Sequence, residues 1–422
     1  MAQLTLLLLT LLALHCGRVL TQPEYVNGEC YADGAPTRCE PVRMSFSLFQ
    51  QATTSSTCGA PPAPFCVRSV SLGRVVSDCR GGDICDASDP NNDHNVLYLT
   101  DFPLNSMWWQ SENSLTSDDR VVIDILLLTL AEISFISFDF HGIKAAAFHL
   151  ERSKDYGLTF EPYHYFAISC ENTFGMLPDA ELTTVNETTV LCQTIQEPPT
   201  PGIITFFPAI DRPSANDSQP GYSEALYQFV TATNVRVIFD KHYELQLAEE
   251  DPGYYYALDD INVIGSCQCY GHASRCIEDS MTGLYQCVCQ HNTTGTYCER
   301  CQDFYNDVPW QRADGSGSFE CKMCNCNNHS SECVFDEGVY AETEFTSGGV
   351  CQNCDGNTAG RQCETCAPFY YSRPDRQQTD PDVCQGIHFS FREHKNCCKT
   401  CLTSICTHST KIFLASGMHS AY

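Results

Sequence analysis

The segment CQCYGHASRC, Cys267 to Cys276, sets two cysteines one residue apart and a third after six more. Thiols this close can hold a metal, exchange electrons or close disulfides. The compartment and the longer-range spacing decide among the three.

The compartment is read from the N-terminus. LTLLLLTLLALH, Leu4 to His15, is an apolar run followed by polar residues toward Gln22. It is too short to span a bilayer and has the form of a secretory leader, expected over residues 1–21. No other stretch reads as a transmembrane segment; VVIDILLLTLAEI, from Val121, carries Asp124 and reads as buried strand. Four N-x-S/T sequons, at Asn186, Asn216, Asn292 and Asn328, agree with secretion and are the expected glycosylation sites. In an oxidising compartment paired cysteines become disulfides.

Twenty of the 29 cysteines follow residue 266. They fall into two registers, Cys267, Cys269, Cys276, Cys287, Cys289, Cys298, Cys301, Cys321 and Cys324, Cys326, Cys333, Cys351, Cys354, Cys363, Cys366, Cys384. Each contains C-x-C-x6-C and later C-x8-C-x2-C, and the period of 57 residues marks a tandem array. Zinc is disfavoured, because eight thiolates per unit would need two ions and His272, His291 and His329 lack finger spacing. Redox catalysis is disfavoured too, since no C-x-x-C opens a helix in a βαβ setting. Units this small cannot bury a sufficient core, so disulfides must supply the stability. Spacing alone leaves 105 pairings open.

CQCYGHASRC, CQHNTTGTYCERC, YNDVPWQRA and SGGVCQNCDGNTAGRQCETC closely resemble laminin-type EGF-like repeats. The resemblance implies the pairings Cys267–Cys276, Cys269–Cys287, Cys289–Cys298 and Cys301–Cys321 in a first repeat, residues 267–323. It implies Cys324–Cys333, Cys326–Cys351, Cys354–Cys363 and Cys366–Cys384 in a second, residues 324–384. The expected form is a rod of stacked, disulfide-rich modules.

Residues 28–266 show little 3.6-residue periodicity. Short β-rich runs bounded by turn residues recur instead, among them RVVIDILLL, ISFISFDF, YHYFAIS, NVRVIFD and YYYALDDINVIG. In NVRVIFD, Val235, Val237 and Phe239 share a face. The expected class is all-β, an antiparallel sandwich. SSTCGAPPAPFC, CDASDP, YLTDF, WWQSEN, ERSKDYG, DRPSAND and VTATNVRV resemble the laminin N-terminal domain shared by laminins and netrins, which implies a jelly-roll-type β-sandwich. Cys170 and Cys192 are isolated and expected to pair. Cys30, Cys39, Cys58, Cys66, Cys79 and Cys85 are left unassigned.

The acidic loop ASDPNNDHNVLYLTDF offers carboxylates and carbonyls of the kind calcium takes, although Asp/Asn-rich loops also serve turns alone. The resemblance implies one Ca2+ held by the carbonyls of Tyr98 and Met107 and by Asp101 and Asp259. Trp108, Trp109 and Trp310 are expected to pack rather than bind, and Tyr254–Tyr256 are undecided.

The net charge of −28 comes without a basic stripe, which argues against nucleic acid as a partner. No G-x-S-x-G, H-E-x-x-H or P-loop is present, and the expected function is not enzymatic. Two readings compete. One is a netrin-type guidance cue that engages cell-surface receptors through this domain and its rod. The other is a laminin short arm whose N-terminal domains join others of their kind, with calcium, in basement membrane. SSTCG, CDASDP, SKDYG and PWQRA favour the first. SCENTFG, the double Trp and the lack of a cysteine that netrins place before the second Trp, with a partner near FDFH, favour the second. The balance leans to netrin. The tail, residues 385–422, has Cys397, Cys398, Cys401 and Cys406 out of register, with neither heptads nor a basic module. It reads as a truncated or aberrant end, or as a short isoform acting as a decoy.

Overall fold

The computed structural model describes residues 30–387 apart from 51, 102–106, 179, 184, 211 and 213–222. The leader, Asn216 and the tail cysteines lie outside the described residues.

Ten strands make one sheet system: β1 (Met44–Ser45), β2 (Ala52–Thr54), β3 (Trp109–Gln110), β4 (Val121–Phe140), β5 (Ala147–Ser153), β6 (Glu161–Ala167), β7 (Cys192–Thr194), β8 (Gly202–Phe206), β9 (Thr231–Lys241) and β10 (Ala257–Cys267). The order is β7-β6-β5-β9-β4-β10-β1, with β2 and β8 also paired to β4 and β3 to β10. The chain is all-β and sandwich-like, as its short alternating runs predict.

One feature departs from the sequence pattern. RVVIDILLL and ISFISFDF read as separate strands, but β4 runs through both for 20 residues. No Gly or Pro interrupts the TLAE between them, and Leu128 takes φ 58°, so the strand bends instead of ending. Before the bend, Val121–Leu126 pair with β9 and Ile123–Ile125 with β2. After it, Ala131 and Glu132 still pair with β9, and β4 also pairs with β10 and β8. A strand that gains new partners past a bend while keeping an old one makes the corner of a sandwich. Ile123, Ile125 and Leu127 from one half and Ile133, Ile136 and Phe138 from the other enter a single core. Val235, Val237 and Phe239 on β9 are fully buried in it. Each such side chain contributes about 1.5–3 kcal/mol by leaving water. On the opposite face of β4, Asp124 takes a two-pronged contact of 2.6 and 3.0 Å from Arg236, its cross-strand partner.

The residues group into two compact units, one of residues up to Arg300 with Gln311–Glu320, the other of Cys301–Trp310 with residues from Cys321 on. In the first, Cys267, Cys269, Cys287 and Cys298 belong to the same buried cluster as the sandwich core. In the second, the core is sulfur: Cys324, Cys326, Cys333, Cys351 and Cys363, with Phe304 against them. The repeat cysteines join as Cys267–Cys276, Cys269–Cys287, Cys289–Cys298, Cys301–Cys321, Cys324–Cys333, Cys326–Cys351, Cys354–Cys363 and Cys366–Cys384. Upstream, Cys170 joins Cys192, and the six left open resolve as Cys30–Cys39, Cys58–Cys85 and Cys66–Cys79. A bridge closing a loop of this size is worth about 2–4 kcal/mol by restricting the unfolded chain.

The β4–β10 contact leaves no room at Gly265, where a Cβ would meet the Glu132 carbonyl oxygen at 2.3 Å. Gly265→Ala is expected to destabilise the domain by about 1–3 kcal/mol, read as a lower midpoint in thermal unfolding. An unchanged midpoint would refute that close approach.

Candidate functional site

The loop carrying the expected calcium ligands is held by its own turn chemistry. Asp86 accepts from the amide and hydroxyl of Ser88, at 2.9 and 2.6 Å. Asp89 accepts from the Asn91 amide at 3.0 Å and the Asn92 side chain at 2.7 Å, and these bonds, the Asn91 amide first, hold its carboxyl below the usual range. Both carboxylates are thus engaged inside the loop. The next turn is a 3₁₀ helix, Val96–Leu99, capped by the Asn95 side chain, which accepts from the Leu97 amide at 3.1 Å. Leu99 is fully buried beneath it. Thr100 then donates its hydroxyl to the Gln50 carbonyl at 2.7 Å and accepts from the Phe49 amide at 2.7 Å. Asp101 follows directly and is therefore placed by a fixed backbone.

Across from this turn, β10 carries two adjacent aspartates. Asp259 meets His141, Oδ1 to Nδ1 2.9 Å. Asp260 is 7% exposed. Its Oδ2 accepts from the Asn262 amide group at 2.6 Å, and its Oδ1 has no hydrogen-bond partner. Burial pushes the Asp260 carboxyl up to about 6 against the Asn262 bond, and the charges of Asp101 and Asp139 push the same way. Asp139 is the cross-strand partner of Asp260 on β4, and burial followed by the Asp259 charge raises it also. Burial also raises Asp93, against a hydrogen bond from Tyr98, and Tyr98 is raised by burial and then by Asp93 and Asp101.

Of the four expected ligands, the structure brings Tyr98 and Asp101 into this acidic group. Asp259 is turned to His141, and Asp260 is the residue coupled to Asp101. Met107 sits on the far side of residues 102–106, next to Trp108. The β4–β10 register shifts between Asp139 and Phe140, so Asp260 lies opposite Asp139 while Asp259 falls at the irregularity. A buried carboxylate oxygen without a donor, beside two further carboxylates, has the donor chemistry of a hard divalent cation site.

Trp108 and Trp109 pack. Trp109 is fully buried and donates to Thr57 Oγ1 at 3.1 Å. Trp108 stacks on His141 at 3.7 Å and 6°, and on His94 at 4.1 Å. Tyr254 and Tyr256 are buried, and Tyr255 donates to the Cys66 carbonyl at 2.9 Å.

The glycosylation sequons differ in access. Asn186 is exposed on a loop, its Oδ1 accepting from Thr183 Oγ1 at 2.8 Å. Asn328 is exposed at φ 62°. Asn292 is half-buried, and its side-chain amide donates to Glu320 at 3.3 Å.

Residues 39–265 match the family described as laminin N-terminal (domain VI), 267–317 the laminin EGF domain, and 324–379 the laminin/attractin EGF domain. Laminin subunit beta-1 of Mus musculus is 36% identical over 403 residues, 89% of this chain and 22% of its own length. Laminin subunit gamma-3 of Homo sapiens is 34% identical over 400 residues, 89% of this chain and 24% of its own. Laminin subunit beta-1 of Drosophila melanogaster is 35% identical over 357 residues, 79% of this chain and 19% of its own. The chain thus spans about a fifth of the length of the curated relatives it matches.

Two outcomes follow from the site geometry. The folded value of about 6 for Asp260 lies above its unfolded value of about 3.9. The cation-free domain therefore loses stability as pH rises from about 4 through about 6, by about 2–3 kcal/mol in all, and regains it on acidification. Asp260→Asn is expected to raise the melting midpoint in EDTA at pH 7.5 and flatten its slope between pH 4 and 6; a lower midpoint would contradict the unpaired carboxylate. Glycopeptide mass spectrometry is expected to find Asn186 and Asn328 occupied and Asn292 bare, and full occupancy at Asn292 would show that its bond to Glu320 does not guard it.

Proposed function

This chain belongs to the laminin N-terminal domain family, and from that membership we propose that it is the tip of a laminin-type short arm in the extracellular matrix. It works by surface recognition, joining other laminin N-terminal domains and cell-surface receptors, and carries out no catalysis. The observation that carries the reading is the ordered match of domain VI and two laminin-type modules, with beta and gamma subunits aligned over most of the chain.

The netrin reading, to which the sequence motifs leaned, has less support. Where netrins carry a cysteine before the second Trp and a partner near FDFH, this chain has Trp108 stacked on His141. That contact ties the same two segments with aromatic packing.

Calcium fits this reading. The orphaned Asp260 Oδ1 and the Asp101 carboxylate would hold it, with the Tyr98 and Met107 carbonyls completing the set on the loop side. A bound divalent cation supplies positive charge where the fold gathers negative charge, and this would tie the Val96–Leu99 turn to β10. The recognition surface beside it would then keep one shape, which lowers the ordering cost of association.

The test is association of the secreted chain with recombinant N-terminal fragments of laminin alpha and gamma chains, followed by biolayer interferometry. Binding is expected with millimolar calcium, lost in EDTA and weakened at least about tenfold by Asp101→Asn, the loss of one fixed charge–cation contact (about 1.4 kcal/mol). Absence of binding to these fragments, with tight binding to a netrin-receptor ectodomain instead, would return the chain to the netrin reading.

A further inference from the structure

Two fully buried histidines in the first module face each other. His272 Nδ1 lies 3.0 Å from His291 Nδ1, with the rings at 80°. The remaining nitrogens are also engaged. His272 Nε2 is 2.9 Å from the Gln311 carbonyl oxygen, and His291 Nε2 is 2.8 Å from that of Cys30. A carbonyl only accepts, so both Nε2 atoms must donate. Two neutral imidazoles carry two N–H protons between them, and the carbonyls use both. The Nδ1 atoms then confront each other as two lone pairs at hydrogen-bond distance. A third proton turns that confrontation into an N–H···N bond. Zinc does not fit the gap, since two nitrogens on one tetrahedral zinc stand about 3.3 Å apart at bond lengths of about 2.0–2.1 Å.

The second module supplies an internal comparison. His329 occupies the register of His272, is 2% exposed and places Nε2 2.6 Å from the Gln378 carbonyl oxygen. Its own carbonyl accepts from Asp355, as that of His272 accepts from Gln290. Where the first module has His291, the second has Gly356, whose Cβ would lie 3.2 Å from His329 Nδ1. The histidine-to-carbonyl bond is therefore a feature of both modules, and the second histidine is peculiar to the first.

His291 reaches outside its module. Cys30 and Cys39 close the N-terminal loop by a disulfide, and the Cys39 amide donates to Gly271 at 3.1 Å. Tyr31 stands edge-on to His291 at 5.4 Å and donates to Glu320 at 2.7 Å. We propose that His272 and His291 take up one shared proton between their Nδ1 atoms, and that this proton latches the Cys30–Cys39 loop to the first module. The step is a single proton gained from solvent; one N–H···N bond forms and no covalent bond breaks. The latch tightens as pH falls and slackens as pH rises.

The titratable and charged groups near the pair are Tyr31, edge-on to His291 and bonded to Glu320, and Arg38, whose stem lies against Gly271 next to His272. Burial first, with the charge of a protonated His291 acting the same way, lowers the His272 imidazole to about 4 against its bond to the Gln311 carbonyl. Glu132, which burial pushes up to about 7 in the same unit, is a separate source of pH dependence, so the test needs a matched variant.

His291→Gly is that variant. Residue 291 has φ 55°, which glycine adopts freely, and the second module folds with glycine there. The experiment is a pH titration from 8 to 4 of the full chain with 15N-labelled histidine, read by NMR, together with hydrogen exchange at the Cys39 and Thr37 amides. In the wild type, the 15N shifts of His272 and His291 are expected to change in concert as pH falls, as a pair taking one proton. Amide protection, corrected for intrinsic exchange, is expected to rise by up to about tenfold per pH unit across that titration. In His291→Gly, the shared proton and the rise in protection are both absent. Two histidines that stay neutral throughout, or titrate independently, would overturn the proposal, as would equal protection profiles in the two proteins.

Discussion

The unbroken run of β4 is the constraint on which the rest of the fold depends. Its core-facing side chains alternate from Val121 to Ile133 and resume on shifted parity from Ile136, where the register with β10 also shifts. Because it bends at Leu128 without ending, one strand serves both layers of the sandwich. The bend also sets the junction with the first module. The Leu130 carbonyl accepts from the Gln268 amide at 3.0 Å, and the Thr129 hydroxyl donates to the Tyr285 carbonyl at 3.3 Å. β10 leaves the sheet as Cys267, so its last residue is already the first half-cystine of the repeat. Sandwich and module thereby share one buried cluster.

The same framework decides where buried charge is neutralised. Among the described residues, Asp240, Asp251 and Asp260 are the buried aspartates. Asp240 lies between Arg120 at 2.8 Å and His149 at 2.5 Å. Asp251 meets Arg68 at 3.3 Å and Ser77 at 2.7 Å. Asp260 has the Asn262 side chain and the Ile261 amide but no cationic partner, and its neighbours Asp101 and Asp139 repel it. Two buried carboxylates are thus paired with cationic side chains and the third lies beside like charges, which is the observation behind the calcium proposal.

Much of this was legible in the residues. Alternation gave the strands and the inward face of NVRVIFD, and the 57-residue cysteine period gave the modules. The single long β4 was not legible, because its continuity rests on a backbone angle at Leu128 that nothing in TLAE announces. The pairing of Asp260 with Asp139 was hidden by a register shift for the same reason, since a local irregularity moves a side chain to the other face. The roles of His272 and His291 were invisible to spacing; they sit 19 residues apart and act through carbonyls of Cys30 and Gln311, far from both in sequence. The netrin-leaning motifs sit in loops, while the laminin likeness extends over nearly the whole chain.

The most direct measurement is the diffraction structure of the secreted chain crystallised with calcium, with anomalous data to locate the ion. The account predicts one ion within about 2.3–2.6 Å of carboxylate oxygens from Asp101 and Asp260, with Asp259 still on His141. An Asp260 Oδ1 that remains unpartnered in saturating calcium, or an ion bound by Asp259 instead, would contradict it.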